Sequence, residues 1–158
     1  MKRCGWAVGL ALGSFLVGAA GAPAEQSASA MAELVRVYEP IQVALAGDST
    51  ASVVEAAARV AERAEALAPK DSERPEFSGL IAAARGVKAS DIKTLREQVK
   101  PLSLALAKLV QSQPVEGYGI YFCPMADAYW LQKVGAVRNP YYGKSMLTCG
   151  ELVKKVEG

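Results

Sequence analysis

One stretch of the chain repeats apolar residues at helical spacing more regularly than any other. From Ile92 to Leu109 every interval is three or four residues, and the apolar positions are Ile92, Leu95, Val99, Leu102, Leu106 and Leu109. Because an α-helix turns once in about 3.6 residues, these side chains share one face and need a neighbour to cover them. The pattern predicts a long helix from about Ser90 to Gln113. Pro101 predicts a bend in it, since proline lacks a backbone donor.

Three similar apolar stripes precede this helix. They occupy residues 31–45, 49–68 and 76–85, and short connectors rich in glycine, proline or charge separate them. Each stripe predicts an amphipathic helix with one buried face and one solvated face. Four such helices with short connections are typical of an antiparallel up-down four-helix bundle.

The chain changes character after Pro114. Glycine and proline recur among seven aromatic residues: Tyr118, Tyr121, Phe122, Tyr129, Trp130, Tyr141 and Tyr142. This density of glycine and proline predicts turns and irregular backbone, with at most a turn or two of helix near residues 126–132. The predicted fold is therefore all-α, a four-helix bundle with an irregular, aromatic-rich C-terminal segment packed on it.

Residues 1–24 have the layout of a secretory signal peptide. Lys2 and Arg3 precede an uncharged apolar run that ends in small residues at Ala24. We expect cleavage after Ala24, leaving residues 25–158 as a single exported domain. An uncleaved membrane anchor is the alternative, because the apolar run is nearly long enough to span a bilayer.

Cleavage also changes the charge balance. The full chain has 18 basic and 16 acidic residues, and loss of Lys2 and Arg3 leaves 16 of each. A neutral chain lacks the basic surface that nucleic acids and anionic membranes attract. We therefore expect no nucleic-acid partner, and no membrane association after cleavage.

Sulfur is concentrated in residues 115–151. Cys123 and Met125 form one close pair, and Met146 and Cys149 form another. Two thiolates and two thioethers are a soft ligand set that selects Cu(I), and by the same logic Ag(I), over harder ions. Zinc fits less well, because thioether is a poor zinc ligand and the chain contains no histidine.

The same residues have two other interpretations. A disulfide between Cys123 and Cys149 is common chemistry in an exported chain, and the methionines would then be core filler. Spacing alone favours this disulfide over a metal site. A redox switch that binds metal only as the dithiol is a third interpretation. A catalytic cysteine lacks a histidine base, and no phosphate loop or hydrolase motif is present, so no catalytic residues are assigned.

The motifs of the C-terminal segment resemble those of a known bacterial family. The matching stretches are Tyr-Phe-Cys-Pro-Met-Ala from Tyr121, Ala-Tyr-Trp-Leu from Ala128, Arg-Asn-Pro-Tyr-Tyr-Gly from Arg138 and Met-Leu-Thr-Cys-Gly-Glu from Met146. In this order they resemble the domain-of-unknown-function 3347 family, which occurs as small exported proteins. The family also forms the C-terminal domain of periplasmic adaptor subunits of copper and silver efflux pumps.

The resemblance implies a periplasmic helical domain for heavy-metal handling, without enzymatic activity. By position it implies that Cys123, Met125, Met146 and Cys149 bind Cu(I) or Ag(I), and this shifts the balance from disulfide to metal. An efflux adaptor or another periplasmic metal carrier is the implied partner. The alternative function is a disulfide-stapled, non-catalytic interaction domain of the cell envelope.

Overall fold

The computed structural model describes residues 23–68 and 75–153 of the chain. Four helices come first, α1 (Pro23–Ala46), α2 (Val53–Leu67), α3 (Pro75–Arg85) and α4 (Ile92–Ser112). Three strands follow, β1 (Tyr118–Cys123), β2 (Ala128–Lys133) and β3 (Glu151–Val153), with one turn of 3-10 helix at Gly143–Ser145. The expected signal peptide lies outside the described residues except for Pro23 and Ala24, which begin α1.

The four predicted helices are present, and their apolar stripes form one core. Each helix packs on the next along the chain. Both internal prolines lie within continuous helices, Pro40 in α1 and Pro101 in α4. Asp91 caps α4, since its carboxylate accepts the backbone N–H of Thr94 at 2.9 Å. Among the described residues, no helix combines the length and hydrophobicity needed to cross a lipid bilayer.

The all-α prediction is wrong, because the C-terminal segment folds as an antiparallel sheet. The strand order is β2-β1-β3, and β2 packs on α4 and α1. Residues 126–132, where helical turns were expected, complete a hairpin turn and form most of β2. The fold is therefore mixed α/β, with a helical layer and a small sheet.

The two faces of this sheet pack against different clusters of buried residues. Ile120 and Leu131 point into the core shared with the helices. The alternate residues Tyr121, Cys123 and Trp130 belong to a second buried cluster on the opposite face. The β2–β3 connection (residues 134–150) covers this second cluster, so both faces of the sheet are buried.

A buried pair of hydroxyl groups joins α1 to α4. The oxygens of Tyr38 and Ser103 lie 2.7 Å apart, and neither residue is exposed to solvent. Burial raises the pKa of Tyr38 to about 12, because the phenolate would lose its hydration. Hydrogen bonding to Ser103 offsets only part of this effect.

Tyr38 is expected to make the protein less stable at alkaline pH. Below pH 10 the contribution of Tyr38 to the free energy of unfolding is constant. Above pH 10 its hydroxyl ionises in the unfolded chain, but in the folded chain it stays protonated until about pH 12. Between pH 9 and pH 11, ionisation of Tyr38 in the unfolded chain therefore lowers the free energy of unfolding by about 1.3 kcal/mol. Urea denaturation at both pH values should show a smaller loss in Tyr38→Phe than in the wild type, and equal losses would contradict this assignment.

Candidate functional site

The two cysteines of the C-terminal segment meet at the end of β1. Phe122 on β1 pairs with Glu151 on β3, and continuation of that register places Cys123 opposite Gly150. Cys149 precedes Gly150, and its sulfur lies 3.0 Å from the sulfur of Cys123. The fold therefore brings together two residues that are 26 positions apart in sequence.

Gly150 allows this close approach. Its φ of 135° lies in a region that residues with a side chain rarely adopt. A Cβ atom at this position would overlap the ring of Trp130 and would lie 3.1 Å from the carbonyl oxygen of Phe122. Glycine at this position lets the chain pass close to the indole between Cys149 and the start of β3 at Glu151.

Asn139 holds Cys149 in place from the other side. Its side-chain amide donates to the carbonyl oxygen of Cys149 at 2.7 Å, and its side-chain oxygen accepts the N–H groups of Tyr141 and Tyr142. Its own backbone N–H donates to the carbonyl of Leu147 at 2.7 Å. Asn139 is completely buried, and its hydrogen bond to Tyr141 is buried as well, while those to Cys149 and Tyr142 are partly buried, so together they fix the β2–β3 connection.

Aromatic rings surround the cysteine pair on the sheet side. Tyr121 stacks on Trp130 across the β1–β2 pair with ring centroids 5.6 Å apart, and Tyr141 meets Trp130 edge-on at 6.1 Å. The indole N–H of Trp130 donates to Gln132 at 2.9 Å, so its polar atom is satisfied. The sulfur of Cys123 consequently lies in a dry, rigid environment.

A polar anchor attaches the β2–β3 connection to the helices. The Arg96 guanidinium donates to the carbonyl oxygens of Leu45 and Pro140 and to the carboxylate of Asp48, all within 2.9 Å. Asp48 also accepts the backbone N–H of Lys144. The hydrogen bond from Arg96 is the main reason that the pKa of Asp48 is lowered.

The two methionines differ in their exposure to solvent and in their contacts. Met125 lies on the hairpin turn between β1 and β2, and 66% of the residue is exposed. Its carbonyl oxygen accepts the hydroxyl of Tyr142 at 2.9 Å, which anchors the turn to the β2–β3 connection. Met146 is half-buried after the 3-10 turn, and its carbonyl accepts the N–H of Cys149. The structure thus pairs the cysteines and leaves Met125 largely in solvent.

The distance between the sulfurs lies between those of two chemical states. A disulfide requires the sulfurs to approach to about 2.05 Å. With metal–sulfur bonds of about 2.3 Å, as in zinc thiolates, a metal would push the sulfurs beyond 3.0 Å unless its angle were acute. The observed pair is about 1 Å from the disulfide distance, whereas a nearly linear two-thiolate metal site would require the sulfurs to separate to about 4.6 Å, twice the metal–sulfur bond length.

The protonation of the Cys149 thiol affects both disulfide formation and metal binding. Its hydrogen bond with Cys123 raises the pKa of the Cys149 thiol, and burial adds to the effect. The thiol is therefore protonated near neutral pH, and a bound metal must displace that proton. Within residues 23–68 and 75–153, no three histidine, cysteine, aspartate or glutamate side chains lie close enough together to hold a metal ion.

Asn139 and Gly150 were missed as site residues by sequence reasoning. The signals were present, because Asn-Pro at 139–140 is typical of turns and the Cys-Gly at 149–150 contains a glycine, a residue that often marks a turn. Neither dipeptide indicates by itself that the asparagine is buried or that an indole lies against the glycine. The sulfur-containing residues were easier to recognise because their chemistry is visible in the side chain.

Comparison with protein-family models, with curated proteins and with solved structures gives no match for this chain. The resemblance to the efflux-adaptor domains stays a prediction drawn from the motifs alone.

Proposed function

We propose that this protein binds Cu(I) or Ag(I) in the periplasm through Cys123 and Cys149, and buffers the metal or passes it to an efflux system. The observation that carries this proposal is the contact between the two cysteine sulfurs at 3.0 Å. Two thiolates beside one another are a strong ligand set for soft monovalent ions. The motif resemblance adds the context of efflux adaptors.

The surroundings of the cysteines favour a soft ion of low coordination number. Cu(I) and Ag(I) accept two thiolates in a nearly linear arrangement, whereas structural zinc uses four ligands. Met146, which is half-buried and shares a turn with Cys149, is the residue that we propose as an auxiliary thioether. Met125 is too exposed to serve as a buried ligand.

Metal transfer would proceed by ligand exchange and requires no catalysis. Cys123 is fully buried and Cys149 only partly, so an incoming ligand reaches the metal from the Cys149 side. A periplasmic metal carrier or an efflux adaptor with similar sulfur ligands could then take the ion. The aromatic cluster restricts access to the Cys123 side.

A competition titration with Cu(I) tests this function. We expect the reduced protein, in a Cys4→Ser background, to take one equivalent of Cu(I) from a chelator. Cys123→Ser and Cys149→Ser should each weaken binding by more than about 100-fold, since even outer-shell partners are worth about 10- to 100-fold. Met146→Ala should weaken it less, and Met125→Ala should serve as the matched control with little effect.

A second candidate function is a disulfide-stapled, non-catalytic interaction domain of the cell envelope. The sulfur–sulfur distance of 3.0 Å favours it, because this is closer than two unbonded sulfur atoms normally sit. Such a bond would contribute about 3–4 kcal/mol by restricting the unfolded chain. Protein isolated with oxidised cysteines that takes up no Cu(I) after reduction would support this candidate and reject metal binding.

A further inference from the structure

We propose that Cys123 and Cys149 form a redox-active pair in which Cys149 attacks an external disulfide and Cys123 resolves the resulting mixed disulfide. This proposal does not depend on metal binding. It rests on the contact between the sulfurs and on their unequal access to solvent. The substrate class is a disulfide, either a small molecule such as oxidised glutathione or an exposed protein disulfide.

Unequal exposure assigns the two roles. Cys123 has no solvent-exposed surface and faces the cluster of Tyr121 and Trp130. Cys149 is partly exposed and lies in the β2–β3 connection, where an external disulfide can reach it. Because thiol–disulfide exchange needs access to the attacking sulfur, the first step is restricted to Cys149.

Proximity supplies the second step. The buried sulfur of Cys123 lies 3.0 Å from that of Cys149, so it is the nearest nucleophile once Cys149 carries a mixed disulfide. Asn139 and the turn from Met146 hold the backbone of Cys149 on both sides. The thiol of Cys123 therefore lies in contact with the Cys149 sulfur that it attacks, and the fold does not need to rearrange for this step.

The reaction balances with one external disulfide. The Cys149 thiol loses its proton to solvent and attacks one sulfur of the disulfide, breaking the S–S bond and releasing the first small thiolate, which takes up a proton. Cys123 then loses its proton and attacks the sulfur of Cys149, and the second small thiol leaves. The two cysteines are oxidised to one disulfide while the external disulfide is reduced to two thiols.

Oxidised glutathione tests the proposal in a Cys4→Ser background, in which only this pair can react. The reduced protein should lose both thiols, gain no lasting adduct and release two glutathione thiols for each chain. Cys123→Ser should retain one glutathione, on Cys149, because the resolving thiol is missing. Cys149→Ser should react at Cys123 at least ten times more slowly when folded, and at a comparable rate in denaturant.

Three results would overturn the proposal. These are equal rates for the two folded single variants, a lasting adduct on the unsubstituted pair, and a folded pair that does not react. Cys123→Ala is a second variant for the case in which serine is not tolerated in the buried position, and circular dichroism verifies folding. Metal titration of the same reduced protein is independent, so the failure of either proposal is recognised separately.

Discussion

Replacement of Gly150 by alanine is expected to lower the free energy of unfolding by about 2–6 kcal/mol. Two physical effects contribute. The backbone at φ 135° is strained for any residue with a Cβ, at about 1–3 kcal/mol. The added methyl group would overlap the ring of Trp130, and forced repacking of a tight core costs about 1–3 kcal/mol. Urea denaturation followed by circular dichroism measures the change.

Two other glycines provide matched controls for this variant. Gly117 has a φ of 77° with open space around it, so Gly117→Ala measures the cost of a positive φ without a steric clash. Gly79 lies in α3 with open space where a methyl group would point, so Gly79→Ala should stabilise the helix by about 0.5–1 kcal/mol. A Gly150→Ala variant no less stable than Gly117→Ala would contradict the predicted clash with Trp130.

Replacement of Asn139 by alanine is expected to lower the free energy of unfolding by about 2–4 kcal/mol, because one of the three groups that lose their partner is buried and two are partly buried. The change leaves the carbonyl of Cys149 and the N–H groups of Tyr141 and Tyr142 without their present partner. Each buried polar group that loses its partner costs about 1–3 kcal/mol. Denaturation measures the loss of stability. Cys149, released from its hydrogen bond with Asn139, should also react faster with a thiol reagent. A loss of packing around residue 139 alone would leave that rate unchanged.

Gln98 is a suitable control for the Asn139 variant. Its side-chain oxygen likewise accepts two backbone N–H groups, those of Lys88 and Ala89, at 2.9 and 3.0 Å. This site lies nearer the surface, so water can replace the amide, and Gln98→Ala should cost less than about 1 kcal/mol. Equal losses for the two variants would show that burial does not set the cost at Asn139.

The helices could be predicted from sequence because each has one buried face. Val53, Val60 and Ala64 in α2 are buried at helical spacing, and the charged residues between them face solvent. This contrast produces the period that sequence analysis detects. The boundaries agree with the prediction to within a few residues, except that α1 begins at Pro23, eight residues before the predicted stripe.

The sheet was missed because both of its faces are buried. Ile120 faces the helices and Tyr121 faces the aromatic cluster, so apolar and polar residues do not alternate along β1. Such strands read as continuous apolar runs that periodicity cannot assign. The better signal was the arrangement of two aromatic six-residue segments around a four-residue turn, residues 124–127, which is typical of a β-hairpin.

The site could be predicted only in part. Sequence reasoning paired Cys123 with Cys149 as candidate partners, and the structure places their sulfurs in contact. It grouped Met125 with them, but the turn leaves that side chain mostly exposed. The supporting roles of Asn139 and Gly150 depend on contacts between distant parts of the chain, and no local pattern contains that information.

The position of Trp130 gives the sulfur site an optical reporter. The chain has two tryptophans, and the other, Trp6, lies within the expected signal peptide. Trp130 is fully buried, packs against Gly150 and shares a cluster with Cys123 and Cys149. Thiols, disulfides and heavy-metal ions all quench indole emission to different degrees. In a Trp6→Phe variant, the tryptophan fluorescence is therefore a direct, label-free signal of the chemical state of the two sulfurs.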